Sequence, residues 1–506
     1  MILLIQNNSL YEADLRAMLQ AFFPATRIAT ATPEEAGTLS TKMFREMDFC
    51  LTALFAEKRT RLMVEEKGRI MFSGYCTGDF ENRKRFRNKL KLLSYKLLSE
   101  YAGRELPWGS LTGMRPTKIA AEAFHAGLST EEVVDYYERT YQTSREKAAL
   151  AAEVALHEKP ILSGVNPVRD YCLYVHIPFC PTRCLYCSFA AYSVMDVQTK
   201  ISAYLGALKE ELQYISLLNM GRTLKSIYIG GGTPTALSAE QLETLLSSIE
   251  ETFDMETVTE YTVEAGRPDS ITKEKLRCMK THGVTRISIN PQTMNEETLR
   301  IIGRSHTPAD IQRAFLEARK AGFDDINMDI IAGLPGENLD SMRYTLNALE
   351  KLGPDSLTVH SLAIKRTANL NMQLDDYKDD LKHDVAGMVR MADMRARKWG
   401  LEPYYLYRQR NIAGNLENTG YVRPGLDCQY NVLIMEERID TFAAGAGAIS
   451  RLVTYDQEKD ETVKCTRVEN VKNMDVYIER IDEMKERLRD AVDTRDREML
   501  LLNQKK

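Results

Sequence analysis

At 506 residues the chain has room for about three domains of ~150 residues each, and 44% hydrophobic with 27% charged residues is the composition of an ordinary globular protein. That excludes collagen-like, wholly disordered and disulfide-scaffold classes. Lys+Arg 67 against Asp+Glu 72 leaves −5, so nothing in the overall charge argues for a nucleic-acid partner, and any anionic ligand must be held locally.

The opening residues, Met1 to Asn8, have no cationic region and a short apolar run, which reads as a buried strand rather than a signal peptide. No window approaches the ~20 apolar residues of a membrane span. A cytoplasmic location is therefore expected. Strands are predicted near 1–6 and 49–56, a turn at Glu66-Lys67-Gly68, and helices from Arg83 and from about 116 to 157. Together they predict an α+β domain over 1–165, closed by the loop-like 159–167. The basic run 83–91 reads as a solvated helix face, because the chain as a whole is acidic.

From residue 170 to 368 short β-branched runs alternate with helical patterns, the mark of βα units on a parallel sheet. Six strands are predicted, at 171–177, 225–229, 260–264, 284–289, 325–331 and 357–362, with helices such as 238–253, 272–281 and 339–352. Six units rather than eight give an α/β fold with a partial (β/α)6 barrel, whose chemistry sits at the carboxyl ends of the strands. Residues 369–506 form a C-terminal α+β extension: a charged helix through Arg397, strands at 404–407 and 432–435, and a long charged helix over about 468–502.

Nine cysteines, an odd number, point to metal or redox chemistry before disulfides. The first barrel strand runs into His176-Ile177-Pro178-Phe179-Cys180-Pro181-Thr182-Arg183-Cys184-Leu185-Tyr186-Cys187, a Cys-x3-Cys-x2-Cys loop. Three thiolates on one loop suit zinc or an iron-sulfur cluster. Structural zinc wants four ligands in paired spacing, and Cys172 or Cys428 would have to supply the fourth. A 4Fe-4S cluster held by three cysteines leaves one iron open to a substrate or cofactor. One βα unit later stands Gly230-Gly231-Gly232-Thr233-Pro234, where backbone can approach a ligand closely. Glu264, Gln292 and Asp329 fall at later strand ends and Arg304 in the following helix. Asp329 lies in a buried-strand pattern where an unpaired carboxylate would be costly.

The cysteine loop resembles the radical S-adenosylmethionine signature. The resemblance implies a 4Fe-4S cluster on Cys180, Cys184 and Cys187, with S-adenosylmethionine on the open iron. Gly231, Gly232 and Thr233 would meet its methionine amino group, and Glu264, Gln292, Arg304 and Asp329 its amino-acid head and ribose. Tyr174, implied to be catalytic, and the backbone of Tyr186 would lie beside it.

Over 171–451 the chain is similar to the oxygen-independent coproporphyrinogen III dehydrogenases, through the stretches 174–180, 230–235, 327–336 and 445–448. Asn290-Pro291-Gln292-Thr293-Met294, 405–409, 414–418 and 108–116 point to the HemZ-type branch. The implied reaction converts two propionates of coproporphyrinogen III to vinyls, giving protoporphyrinogen IX. An electron from a flavodoxin- or ferredoxin-type reductant splits S-adenosylmethionine into methionine and a 5'-deoxyadenosyl radical. The radical takes a hydrogen from the propionate β-carbon, and CO2 and one electron leave. Cationic partners for the propionates are sought in Arg267, Arg366, Arg408 and Arg410.

Two departures bear on the substrate. Phe189 stands where the better-known dehydrogenases carry a further Cys, a form the related haem chaperones share. Tyr430 stands where those chaperones carry a His, leaving His360 or His383 as iron ligands. A haem chaperone and a haem-ring-opening methyltransferase are thus the alternative readings.

Overall fold

The computed structural model describes residues 1–504 except 25, 39–46, 79–82, 114, 190, 366–367, 373–376, 378–383 and 410–411. Arg366, Arg410 and His383 therefore lie outside the described residues. Two compact units divide the chain. One comprises Met1–Leu156, Ser361–Ile364 and Leu406–Asn418; the other comprises His157–His360, Lys365–Tyr405 and Thr419–Lys506.

The first unit is built on five strands, β1 (Ile2–Gln6), β2 (Ile28–Ala31), β3 (Phe49–Ala56), β4 (Arg59–Glu66) and β5 (Arg69–Thr77). Their order is β2-β1-β3-β4-β5. β1 is buried along its whole length and pairs in parallel with both β2 and β3. Lys67 and Gly68 both adopt positive φ, the geometry that joins β4 and β5 by a two-residue hairpin. In the basic run, Phe86 is buried against Tyr11 with ring centroids 5.1 Å apart, so the helix Arg83–Ala102 turns that side to the core.

The stretch 108–116 meets 406–418 inside this unit. Trp108 Nε1 donates to Glu417 Oε2 at 2.7 Å, and Lys147 Nζ to Glu417 Oε1 at 2.6 Å. Arg408 Nη1 and Asn415 Nδ2 both donate to the Leu111 carbonyl, at 2.9 and 3.1 Å. Two segments some 300 residues apart, each marking the same branch, are one structural feature.

The remaining strands are β6 (Asp170–Ile177), β7 (Phe179–Cys180), β8 (Tyr192–Ser193), β9 (Thr223–Gly231), β10 (Glu260–Gly266), β11 (Arg286–Ile289), β12 (Asp325–Ala332), β13 (Ser356–Ser361), β14 (Glu402–Arg408), β15 (Glu417–Val422), β16 (Asp440–Ala444), β17 (Ile449–Asp456) and β18 (Glu461–Glu469); all belong to the second unit except Ser361 of β13, 406–408 of β14 and 417–418 of β15. The main sheet is open, in the order β14-β15-β13-β12-β11-β10-β9-β6-β16-β17-β18. The six predicted barrel strands occupy its centre as a partial (β/α)6 barrel, with β6, β9, β10, β11 and β12 parallel. β16 joins them in parallel beside β6. The C-terminal residues thus extend the barrel sheet itself.

Strand alternation sorts the side chains. Leu173, Val175, Ile227, Ile229, Val263, Ile287, Ile326, Met328 and Ile330 are fully buried on one face, each worth about 1.5–3 kcal/mol of burial. The intervening positions are polar or aromatic: Tyr174 and His176, Tyr228, Thr262 and Glu264, Ser288, Asn327 and Asp329, Thr358 and His360.

The segment predicted as a strand at 432–435 is instead the helix Gln429–Glu436. The buried Glu260 carboxylate takes the Gln429 amide at 2.5 Å, the Tyr430 amide at 3.4 Å and the Cys428 thiol at 3.3 Å. An anion on the first-turn amides favours helix there. The long helix expected from 468 begins later, as Met474–Glu479 and Ile481–Gln504, since β18 runs to Glu469.

Candidate active site

The three-cysteine loop leaves β6 and is pinned by backbone. The Gly232 amide donates to Ile177 O at 2.8 Å, the Thr233 amide to Phe179 O at 2.7 Å, and the Leu185 amide to Ile302 O at 3.0 Å. Thr233 Oγ1 lies 3.6 Å from Cys180 Sγ. Burial pushes the Cys180 thiol up to about 11, with Thr233 opposing and the neighbouring Cys187 and Cys184 adding to it; burial also raises Cys187. A cation that binds these thiols must therefore displace their protons. Cys172 accepts from Ser226 Oγ at 3.1 Å and Cys428 donates to Glu260, so both thiols proposed as a fourth zinc ligand are engaged elsewhere.

The glycines are required by close approach. Gly231 has φ +110, and a Cβ there would lie 2.6 Å from the His176 ring. A Cβ on Gly232 would lie 2.5 Å from Phe179 O and 3.0 Å from Cys180 Sγ. The turn is thus seated on the cysteine loop itself.

Beyond it, Tyr228 donates to Glu264 Oε1 at 2.7 Å, and burial, reinforced by the Asp329 charge, lifts the Glu264 carboxyl to about 7 against the Tyr228 hydrogen bond. Asp329 moves the other way. Burial opposes its charge, but His360 and Asn327 outweigh that and lower it; His360 Nε2 is 3.7 Å away and Asn327 Nδ2 2.7 Å. Two facing carboxyls are thus pushed apart in proton affinity.

Gln292 is 7% exposed with φ +66, an unusual backbone for a residue with a Cβ. It is held by its amide on Asp329 O at 2.9 Å and by the Ile331 amide on its own carbonyl at 3.0 Å. Arg304 donates to Asn290 O at 2.5 Å and to Tyr186 OH at 3.2 Å. Gln292 Oε1 and Arg304 Nε are buried without a hydrogen-bond partner. Tyr174 OH is 3.3 Å from His176 Nδ1, and burial lowers His176 to about 4, so its ring is neutral.

Further residues complete the setting. Tyr228 and Tyr430 stack with centroids 4.5 Å apart, and Tyr174 lies 6.1 Å from each. Tyr228 and Asn327 were discoverable as i±2 neighbours of Gly230 and Asp329 on strands; His360 and Tyr430 were named only for the chaperone reading, and the place of Tyr430 depends on a helix docked from far along the chain. Two proposed propionate partners are committed otherwise. Arg267, 2% exposed, pairs with Asp269 at 2.6 Å and with Thr182 Oγ1 at 2.6 Å. Arg408 is 3% exposed and spends its guanidinium on carbonyls.

Residues 174–349 match the Radical SAM superfamily model. The oxygen-independent coproporphyrinogen-III oxidase-like protein HemZ of Bacillus subtilis is 36% identical over 92% of this chain and 93% of its own length. The haem chaperone HemW of Lactococcus lactis is 32% identical over 54% of this chain and 68% of its own. The solved structure of the Escherichia coli coproporphyrinogen III oxidase HemN, a radical SAM enzyme, covers 65% of this chain and 73% of its own, with TM-score 0.51 and 25% identity. Enzymes of this superfamily use a 4Fe-4S cluster and S-adenosylmethionine. The cysteine loop and its glycine turn are thus those of a radical SAM domain, and the chain belongs to the HemN/HemZ family of coproporphyrinogen-III oxidase-like proteins.

Proposed function

We propose that the chain catalyses the oxygen-independent oxidative decarboxylation of coproporphyrinogen III to protoporphyrinogen IX. The observation that carries this reading is the HemZ likeness along 92% of the chain, reaching well beyond the barrel. On this reading Cys180, Cys184 and Cys187 hold the cluster. Gly231, Gly232, Thr233, Glu264, Gln292, Arg304 and Asp329 hold S-adenosylmethionine, with Tyr174 and Tyr186 beside it.

The donor set suits that ligand. The unpartnered Gln292 Oε1 and Arg304 Nε offer a buried acceptor and a buried donor, as an amino-acid head and a ribose require. When bound, cluster and cofactor supply the electron and the hydrogen-abstracting radical. The chain's part is placement and exclusion of water: Glu264, protonated or ionised near neutrality, can donate to or accept from a hydroxyl. The stacked Tyr174, Tyr228 and Tyr430 make the adjoining wall aromatic. A flavodoxin- or ferredoxin-type reductant and a cytoplasmic location belong to the same proposal. No helix among the described residues is long and apolar enough to cross a membrane.

Haem delivery is a second reading, favoured by the HemW relatives and by Phe189, 62% exposed beside the cysteine loop. Anaerobic reconstitution followed by incubation with coproporphyrinogen III, S-adenosylmethionine and reductant separates the two. A product two carboxyls poorer with 5'-deoxyadenosine is the expected result. Stable haem binding without turnover would support the chaperone instead, and a methylated linear tetrapyrrole the ring-opening methyltransferase.

A further inference from the structure

We infer that Glu243, Cys278 and His282 form a binding site for a zinc-class divalent cation, separate from the cysteine loop. Cys278 and His282 stand four residues apart at the end of the helix Lys273–Thr281, a spacing that puts both on one face. Glu243 reaches them from the helix Ala239–Thr252. Cys278 Sγ is 3.2 Å from Glu243 Oε2, and His282 Nε2 is 3.0 Å from Glu243 Oε1. One ligand atom from each residue lies within 4.8 Å of the others. Around tetrahedral zinc, bonds of ~2.0–2.3 Å place ligand atoms about 3.3–3.7 Å apart, so the trio closes by no more than about 1 Å to hold a cation.

His282 supplies the second, independent indication. It is 7% exposed, and its Nδ1 lies 2.8 Å from Glu250 Oε2. That contact lets Nδ1 keep its proton, so that Nε2, which faces Glu243 and Cys278, is the ligand atom. Burial opposes charge on the ring, but the Glu243 and Glu250 carboxylates on either side outweigh it and raise its proton affinity, so a bound cation takes the place of the Nε2 proton. Glu250, His282 and the cation would then form the carboxylate-histidine-metal arrangement that orients metal-bound imidazoles.

Thiolate with imidazole and carboxylate selects zinc over magnesium, calcium or manganese. The Glu243 side chain is 56% exposed, which leaves a fourth position to water. The site is remote from the reaction edge. His282 closes its helix four residues before β11 begins at Arg286, at the amino ends of the strands, whereas Cys180 follows the carboxyl end of β6. In such sheets that edge serves stability rather than chemistry, so the cation braces two neighbouring helices.

The test uses the full-length chain. Cluster-loaded protein equilibrated with zinc ion and desalted should retain one zinc beyond its cluster iron. E243Q and C278S, at accessible positions that do not threaten folding, should each lose it by tenfold or more in affinity, with cluster absorbance unchanged. E250Q should weaken binding about 10–100-fold. In the C180S/C184S/C187S chain, cobalt(II) should give a tetrahedral visible spectrum with a thiolate charge-transfer band that C278S removes. No zinc retained by the parent, equal retention by E243Q and C278S, or a cobalt spectrum indifferent to C278S would each overturn the site.

Discussion

Cys184 is the buried member of the loop trio, 8% exposed where Cys180 and Cys187 are partly open, and the Arg304 guanidinium lies beside it. Its sulfur has no substitute within the loop. Cys184→Ala is expected to abolish iron-sulfur absorbance after anaerobic reconstitution, and turnover with it; full absorbance in that variant would remove the cluster from this loop. Glu264 makes a prediction in pH. Burial lifts its carboxyl to about 7 from 4.5, so the folded chain keeps a proton that the unfolded chain has released. Stability of the apoprotein from this group is complete below the unfolded value and is lost as pH rises through about 7. E264Q should flatten the urea-unfolding free energy across that window, by about 3 kcal/mol at most. An unchanged slope would show that Glu264 ionises freely.

Among the elements, the glycine turn at the end of β9 and the cysteine loop form one object, since a side chain on Gly231 would strike His176 on β6 and one on Gly232 the loop itself. Gly232→Ala places its Cβ against Phe179 O and Cys180 Sγ, a backbone and a candidate ligand that cannot both give way. The expected result is a loss of about 1–3 kcal/mol and of iron incorporation, read by urea denaturation and iron content; Gly113→Ala, with open space around its Cβ, is the control that should change neither. The helix Gln429–Glu436 makes the complementary point. Its Val432-Leu433-Ile434-Met435 run is too short for periodicity to separate strand from helix. The decision comes from Glu260 on β10, which receives the helix's first amides and so sets Tyr430 in the aromatic stack.

At the scale of the whole molecule, the first unit is closed by a return of the chain, with Glu417 buried at 1% exposure between Lys147 and Trp108. Burial would raise the Glu417 carboxyl, but the Lys147 ammonium more than compensates and lowers it. Lys147→Met strands that anion, and a cost of about 3–5 kcal/mol is expected. The double variant with Glu417→Gln should recover most of it, because no buried charge is then left unpaired. Urea midpoints of the two variants decide it, and a single variant as stable as the parent would mean that water reaches Glu417. A second closure lies at Asp440 on β16, held at 2.9 Å by Arg222 and also by Arg495 of the last helix, which ties the C-terminal residues to the barrel sheet.

What the sequence by itself determined was local: six barrel strands, because β-branched runs alternate with helical periodicity, and the three-thiol loop with its glycine turn, because residues a few positions apart must be near one another. The approximate place of Glu264, Gln292 and Asp329 followed, since strand ends in a parallel sheet share an edge. Tertiary structure alone decided which arginines are spent on carbonyls and carboxylates, why Tyr430 stacks on Tyr228, and that 108–116 is completed by 406–418. Those outcomes depend on desolvation and pairing between groups hundreds of residues apart, and such energies have no expression in spacing along the chain.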